Sequence, residues 1–277
     1  DRRREVGDQA RRVSPGAVGC RPYRWSWNSL KAADRRLPQV ASSPDATRGG
    51  DHGETIPAGM GTGPVRVLIA GGGIGGLAAA LCLHRSGHEV TVFESVARPR
   101  ELGVGINLLP HSVRVLHDLG LEAVLREAAV QTTELRFYSD DGILIWAEQR
   151  GVAAGNPWPQ YSIHRGRLQM LLLDAVRDEV GSGRILTGHH LAAFEQDARG
   201  VTAHFDDRRT GVRAGTYRGE VLVGCDGLHS AVRKALVPGE GPPLYSGLVL
   251  WRGAVEAPPF LDGRTMFMAG QERQKAV

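Results

Sequence analysis

Apolar and polar positions between residues 65 and 255 follow two periods, and the points where one replaces the other outline a fold. Residues 65–70 (Val-Arg-Val-Leu-Ile-Ala) are a short, nearly continuous apolar run, which reads as a buried strand. Residues 77–85, rich in Ala and Leu, predict a helix, and residues 89–93 predict a second strand that ends on the acid Glu94. Past Glu94 the simple alternation stops. Pro110 suits a helix's first turn, Val113, Leu116 and Leu119 give it an apolar face, and Gly120 ends it. A second short helix is expected over 121–129.

Residues 134–138 and 143–148 alternate with period two on either side of Ser139-Asp140-Asp141-Gly142, which predicts a β-hairpin. Residues 161–164 are extended. Residues 166–180 place Leu168, Leu171, Leu172, Ala175 and Val176 at helical spacing, and residues 184–213 alternate as strands around Asp197-Ala198-Arg199-Gly200. Residues 220–225 read as a buried strand ending at Asp226-Gly227, with a short helix over 229–236. A Pro/Gly-rich connection, 238–243, leads to 244–255, expected to be a further apolar strand in which Trp251 and Arg252 pack. No internal repeat or coiled-coil pattern is present.

Residues 1–59 follow neither period. They hold Arg-Arg-Arg at 2–4, scattered Trp25 and Trp27, and many Pro, Ser and Gly. There is no apolar segment of a secretory signal, and Asp1, Glu5, Asp8 and Asp34 argue against an Arg-rich, acid-poor transit peptide. The segment is expected to be a disordered or mis-assigned N-terminal extension, with Met60 as the natural start.

The 277 residues suffice for one large or two modest domains. The net charge of +4 resides wholly in residues 1–59, and residues 60–277 balance to zero. The globular part has no field to steer polyanions, so no nucleic-acid partner is expected. No apolar run approaches the ~20 residues of a membrane span, so no membrane partner is expected either. Cys20, Cys82 and Cys225 fit no metal or redox spacing. Cys82 and Cys225 are expected to be small core residues, and the odd count without a secretory signal favours a reducing, cytoplasmic setting.

The chemistry lies at the first strand–helix junction. Gly71, Gly73 and Gly76, with Ile74 and Gly75 between the last two, form a Gly-x-Gly-x-x-Gly turn. Gly71 allows the tight turn, Gly73 lets backbone approach a pyrophosphate, and Gly76 lets helix and strand pack closely. The helix N-terminus offers free N–H groups and a positive dipole end to the phosphates. Glu94, eighteen residues past Gly76, stands where a carboxylate can accept the hydroxyls of an adenosine ribose. Strand, turn, helix, second strand and acid together indicate dinucleotide binding.

Three more segments bear on which dinucleotide. They are Leu102-Gly103-Val104-Gly105-Ile106-Asn107, then Tyr161-Ser162-Ile163-His164-Arg165-Gly166-Arg167-Leu168-Gln169, then Val223-Gly224-Cys225-Asp226-Gly227-Leu228-His229-Ser230-Ala231-Val232-Arg233. In this order the chain resembles the single-component, FAD-dependent aromatic hydroxylases, class A flavoprotein monooxygenases of the para-hydroxybenzoate hydroxylase fold. The resemblance runs from about residue 65 to the end. Gly103–Asn107, Tyr161–Arg165 and Leu250-Trp251-Arg252-Gly253 look most like the phenazine-1-carboxylate-type hydroxylases.

The resemblance implies an α/β fold: a Rossmann-like FAD-binding domain of the GR2 type over residues 60–277, partial, with an inserted β-rich substrate domain. Substrate-domain segments are expected at about 130–160 and 240–277. Gly71, Gly73, Ile74, Gly75 and Gly76 would hold the FAD pyrophosphate and Glu94 the ribose. Arg100 and Arg165 would lie along the ribityl-phosphate arm, Val104 and Gly105 beside the flavin ring, and Asp226 would bridge to the FAD and help form the nicotinamide path. The implied reaction uses NAD(P)H to reduce the flavin. O2 then adds as a C4a-hydroperoxide, and a small electron-rich aromatic substrate attacks it. No catalytic side chain and no metal are implied.

One departure stands out: the family's later Gly-Asp-Ala-(Ala/Gly)-His segment does not occur before Val277. The flavin site is therefore expected to be incomplete at its C-terminal side, and this chain is expected to bind FAD weakly or not at all. A remnant without catalysis, a related FAD oxidoreductase without oxygen insertion and a plain NAD-dehydrogenase are the competing readings. His84 and His88 are separated by the helix end at Gly87, which disfavours a metal pair. His189, His190, Asp140, Asp141, Asp206 and Asp207 read as structural or solvated. Asp226, seen alone, reads equally well as a helix cap.

Overall fold

Strand β1 (Arg66–Ala70), helix α1 (Ile74–Arg85) and strand β2 (Glu89–Glu94) form one tight β–α–β unit. The computed structural model describes residues 63–259, 261–271 and 274–276, all within the unit Gly61–Val277. The expected 1–59 extension lies outside the described residues.

Helix α1 begins three residues earlier than the apolar pattern predicts, because Gly73 already serves as its N-cap. It ends by a defined motif. Gly87, at φ 87°, donates to the His84 carbonyl while His88 N–H reaches back to Leu83 O. Those are the two bonds of a Schellman turn, which needs a residue in the left-handed region. The same device closes helix α2 (Pro110–Asp118): Gly120 N–H bonds His117 O and Leu121 N–H bonds Leu116 O. Helix α3 (Glu122–Ala128) follows directly.

Strands β1 and β2 lie in a parallel sheet of order β12-β1-β2-β8, with β8 at Ile185–Thr187 and β12 at Val221–Gly224. Its two faces are separately buried, as the period of two requires. Val67, Ile69, Val90 and Val92 belong to a core shared with Leu77, Leu81, Val113, Leu116 and Leu125, and with Leu168, Leu172 and Val176 of helix α4 (Arg165–Val176). Leu68, Ala70 and Phe93 belong to a second core with Leu191, Ala203 and Phe205. These last come from an antiparallel sheet of order β11-β10-β9, made of β9 (His190–Asp197), β10 (Gly200–Asp206) and β11 (Arg213–Gly219). The parallel sheet is thus sandwiched between helices and a β-meander. Phe93 and Phe205 stack at 4.0 Å and 13°, and each fully buried ring stabilises the fold by about 2–3 kcal/mol.

Two smaller sheets complete the described chain. Strands β3 (Gly105–Leu108), β7 (Gln160–His164) and β4 (Val130–Thr132) form one, in the order β3-β7-β4. The expected hairpin is β5 (Glu134–Tyr138) and β6 (Leu144–Gln149), joined by β13 (Thr265–Gln271) and β14 (Gln274–Ala276) in the order β14-β13-β5-β6. Segments near 130–160 and 265–276, distant in sequence, therefore share a sheet.

Several expectations are corrected. Residues 244–255 form no strand: Leu244 is 94% and Trp251 91% exposed, and no described strand pairs with the segment. Its apolar run has β propensity but no neighbour to accept its backbone groups. Strand β12 is only partly buried, because it sits at the sheet's edge, and Val221 is exposed. The α-helical geometry of α4 stops at Val176 and continues as a π turn, Arg177–Gly181. Helix α5 (Ala231–Leu236) starts two residues later than expected, at its Ser230 cap. Cys82 lies on the solvent side of α1, away from the buried Leu77, Ala80 and Leu81. Among the described residues no helix is long and apolar enough to cross a membrane.

Candidate dinucleotide-binding site

The turn between β1 and α1 is held by backbone on both sides. Gly71 N–H donates to Phe93 O at 2.7 Å, and Cys225 N–H donates to Ala70 O at 2.7 Å. Gly71 adopts φ 109°, and a Cβ there would overlap the Cys225 carbonyl and come within 3.0 Å of Asp226 N. A Cβ on Gly76 would overlap the Gly71 carbonyl oxygen. Gly73 and Gly75 differ: around each, a Cβ would meet nothing within 4 Å. Gly71 and Gly76 thus permit close packing, while Gly73 and Gly75 border open space. Helix α1 has no side-chain cap and no acid in its first turn. Its first amides and positive dipole end therefore present an unneutralised anion site beside that space.

Glu94 is buried, at 9% exposure, where β2 ends. Its Oε2 accepts the Gly72 N–H at 2.9 Å, and its Oε1 accepts the Val96 N–H at 2.7 Å and the Ser95 hydroxyl at 3.1 Å. A carboxylate has about four acceptor sites. Three are taken by the chain, which fixes the group's orientation and leaves Oε2 able to accept a further hydroxyl.

Asp226 lies two residues past the end of strand β12, and its backbone N comes within 3.0 Å of where a Cβ on Gly71 would be. Its side chain works locally: Oδ1 accepts the Ser230 hydroxyl at 2.5 Å and Oδ2 accepts the Ala231 N–H at 2.6 Å. Ser230 Oγ in turn caps α5 by accepting Arg233 N–H at 3.0 Å, and Arg233 donates to Leu228 O at 2.6 Å. Asp226, Ser230 and Arg233 therefore fold one another. The cap-like reading of Asp226 is realised, although the cap residue itself is Ser230.

Val104 and Gly105 lie at the entry of β3, and the start of α4 holds them. Arg165 N–H donates to Val104 O at 2.8 Å, and His164 Nε2 bonds Gly103 O at 2.8 Å. A carbonyl only accepts, so His164 carries its proton on Nε2 and accepts the Arg167 N–H on Nδ1. Gly166 completes the contact, since a Cβ there would overlap the Leu102 amide. The Arg165 side chain runs past Gly103, and neither its guanidinium nor that of Arg100 has a partner among the described residues. No described contact joins Arg100 to the glycine turn.

One side chain that the sequence reading left without a role ties the two halves together. Gln169 Nε2 donates to Gly72 O at 2.9 Å, from α4 to the turn. The available signal was its spacing, four residues beyond Arg165 and so on the same helix face. His164 and Gly166 were likewise left without roles.

Residues 64–245 match the FAD binding domain family. The chain belongs to that family. It is 46% identical over 208 residues, 75% of this chain and 51% of the relative, to the phenazine 1,6-dicarboxylic acid hydroxylase of Lysobacter antibioticus. The fold is similar to 2,6-dihydroxypyridine-3-hydroxylase from Arthrobacter nicotinovorans, with TM-score 0.59 and 25% identity over 74% of this chain and 49% of that one. It is also similar to the flavin-dependent monooxygenase PieE, solved with FAD and substrate, with TM-score 0.54 and 28% identity over 62% of this chain and 32% of that one. These similarities agree with the expected class A aromatic hydroxylase family and its phenazine-type branch. The chain spans about half the length of the curated relatives it matches. The donor set suits FAD: open glycine amides, an uncapped helix end, an oriented acid and two guanidiniums without a partner among the described residues.

Proposed function

We propose that this chain carries the cofactor-binding core of a flavin-dependent monooxygenase that hydroxylates an aromatic or heteroaromatic ring with O2 and NAD(P)H. The observation that carries the reading is the glycine turn beside the fixed Glu94 carboxylate. Backbone N–H groups of Gly73, Ile74, Gly75 and Gly76 would hold the pyrophosphate, and Glu94 Oε2 would accept a ribose hydroxyl. Arg100 and Arg165 would offset phosphate charge. Val104, Gly105 and Asp226 would flank the flavin. When bound, the flavin supplies the redox chemistry with NAD(P)H and O2. A phenazine-like aromatic acid is the substrate class favoured by the 46% identical relative, and a cytoplasmic setting belongs with this reading.

A second reading, a remnant without flavin binding, is favoured by the exposure of residues 244–255, where Leu244 is 94% and Trp251 91% exposed. A titration of the 277-residue chain with FAD, followed by quenching of flavin fluorescence, separates the two. Weak FAD binding that ADP displaces, with none of FMN, is expected if the ADP half is what this chain holds. No FAD uptake at all would favour the remnant. Beyond binding, NAD(P)H consumption that rises on adding an aromatic acid would support the hydroxylase. Consumption indifferent to the aromatic would indicate an oxidoreductase without oxygen insertion.

A further inference from the structure

Peptide planarity gives one side chain control over the glycine turn. The Gly72 carbonyl and the Gly73 N–H belong to the same peptide plane and point in opposite directions. Holding the carbonyl therefore aims the N–H. Gln169 Nε2, partly buried on α4, donates to Gly72 O at 2.9 Å across 97 residues of sequence. The Gly73 N–H is turned away from Gln169 and has no partner among the described residues. On the other side of Gly72, its own N–H is spent on Glu94 Oε2 at 2.9 Å. A peptide between two glycines has little steric resistance to flipping, since neither residue has a Cβ to restrict φ and ψ. A flip here would turn the Gly73 N–H inward and put a carbonyl oxygen where an anion should lie.

We propose that Gln169 is a positioning residue for dinucleotide binding: by pinning the Gly72 carbonyl it keeps the Gly73 N–H aimed at the pyrophosphate. For its ligand this rests on the FAD-binding reading above; for its geometry it does not. Gln169 touches the turn and not the cofactor, and it transmits the position of α4 to the phosphate site. Because the start of α4 also holds the Gly103–Gly105 segment, the same helix sets both ends of the site.

The test uses the full 277-residue chain and two variants, Gln169→Leu and Gln169→Glu. Leu keeps the approximate volume and removes the donor. FAD binding, read by flavin fluorescence, is expected to weaken about tenfold in Gln169→Leu, the loss of roughly one hydrogen bond's contribution. Conformational exchange at the Gly73 amide, measured by NMR relaxation dispersion on the cofactor-free chain, is expected to appear in Gln169→Leu while the circular dichroism stays that of the parent. Gln169→Glu adds a readout that packing alone would not move. Its protonated carboxyl can donate to Gly72 O, whereas the ionised form repels that oxygen and accepts the Gly73 N–H of a flipped peptide. FAD affinity of Gln169→Glu should therefore lie nearest the parent's at about pH 4 and below, where the carboxyl is mostly protonated, and fall away from it as the pH rises to about 8. Parental affinity and exchange in Gln169→Leu, or a Gln169→Glu pH profile parallel to the parent's, would overturn the proposal. If the parent chain takes up no FAD, the binding reading fails, and the exchange measurement on the free chain still decides the role of Gln169.

Discussion

A methyl group on Gly76 would overlap the carbonyl oxygen of Gly71, so the two ends of the nucleotide turn touch backbone to backbone. Neither atom can yield without moving α1 or β1, which are packed in the same core. Gly76→Ala is expected to lower stability by about 1–3 kcal/mol, as overpacking does, and to abolish FAD binding. Gly75→Ala is the control. A Cβ there meets nothing within 4 Å, and Ala is the better helix former, so stability should rise by about 0.5 kcal/mol. Urea denaturation of both variants checks the pair; equal losses would mean that the close approach does not matter.

Arg85, in the last turn of α1, holds two other elements. Its Nε and Nη2 pair with Glu179 at 2.9 and 2.6 Å, and it donates to Asp118 O and Leu119 O at 2.9 and 3.1 Å. The Arg85 hydrogen bond holds the Glu179 carboxyl below its ordinary range. A carboxyl lowered in the folded state adds stability above its unfolded pKa, about 4.3, and loses it as the pH falls through the folded value. Arg85→Met is expected to cost about 1 kcal/mol at pH 7, with the partial exposure of the pair allowed for. The cost should shrink below about pH 4 without vanishing, because the bonds to the two carbonyls do not titrate. Thermal melts of parent and variant at pH 7 and pH 3 measure the difference; one that is the same at both would remove Glu179 from the account.

The β1–turn–α1–β2 unit was legible because backbone geometry dictates its residue types. Only glycine fits where Gly71 meets Cys225 O and where Gly76 meets Gly71 O, and only a parallel, two-sided strand reads as unbroken Val-Leu-Ile. The hairpin 134–149 was legible for the same reason, its period of two being set by the pleat. Cys82 was misplaced because α1 is apolar nearly all round, so the sequence does not mark its solvent side. Residues 244–255 were misread because a hydrophobic run reports propensity, while a strand also requires a partner. Gln169 was invisible as a pin, since an amide on a helix means nothing until the fold brings Gly72 beside it. Asp226 was recognised, yet only the structure shows its carboxylate engaged with Ser230 and Ala231.

The two described cysteines should differ sharply towards alkylation. Cys82 is exposed on α1, whereas Cys225 is partly buried against the turn, and burial followed by the neighbouring Asp226 charge pushes its thiol up. The thiolate is the reactive form, so Cys225 is slowed both by access and by ionisation. Iodoacetamide at pH 8, with peptide mapping over time, should modify Cys82 well before Cys225. Comparable rates would mean that the junction between β12 and the glycine turn opens in solution.

Gly166 makes the sharpest demand outside the nucleotide turn. A Cβ there would overlap the Leu102 amide nitrogen, with the Glu101 carbonyl carbon 2.6 Å away, so the backbone of 101–102 lies directly on the first turn of α4. Only that approach lets His164 reach Gly103 O and Arg165 N–H reach Val104 O. Gly166→Ala must push the segment off the helix and break both bonds, at an expected cost of about 1–3 kcal/mol. Most of the fold should persist, because the cores around β1 and β2 do not include residues 101–104. The damage should therefore be local: trypsin is expected to cut after Arg100 earlier than in the parent, with little change elsewhere in the described chain. A parental cleavage pattern together with parental stability would show that the segment is held by something other than its contact with α4.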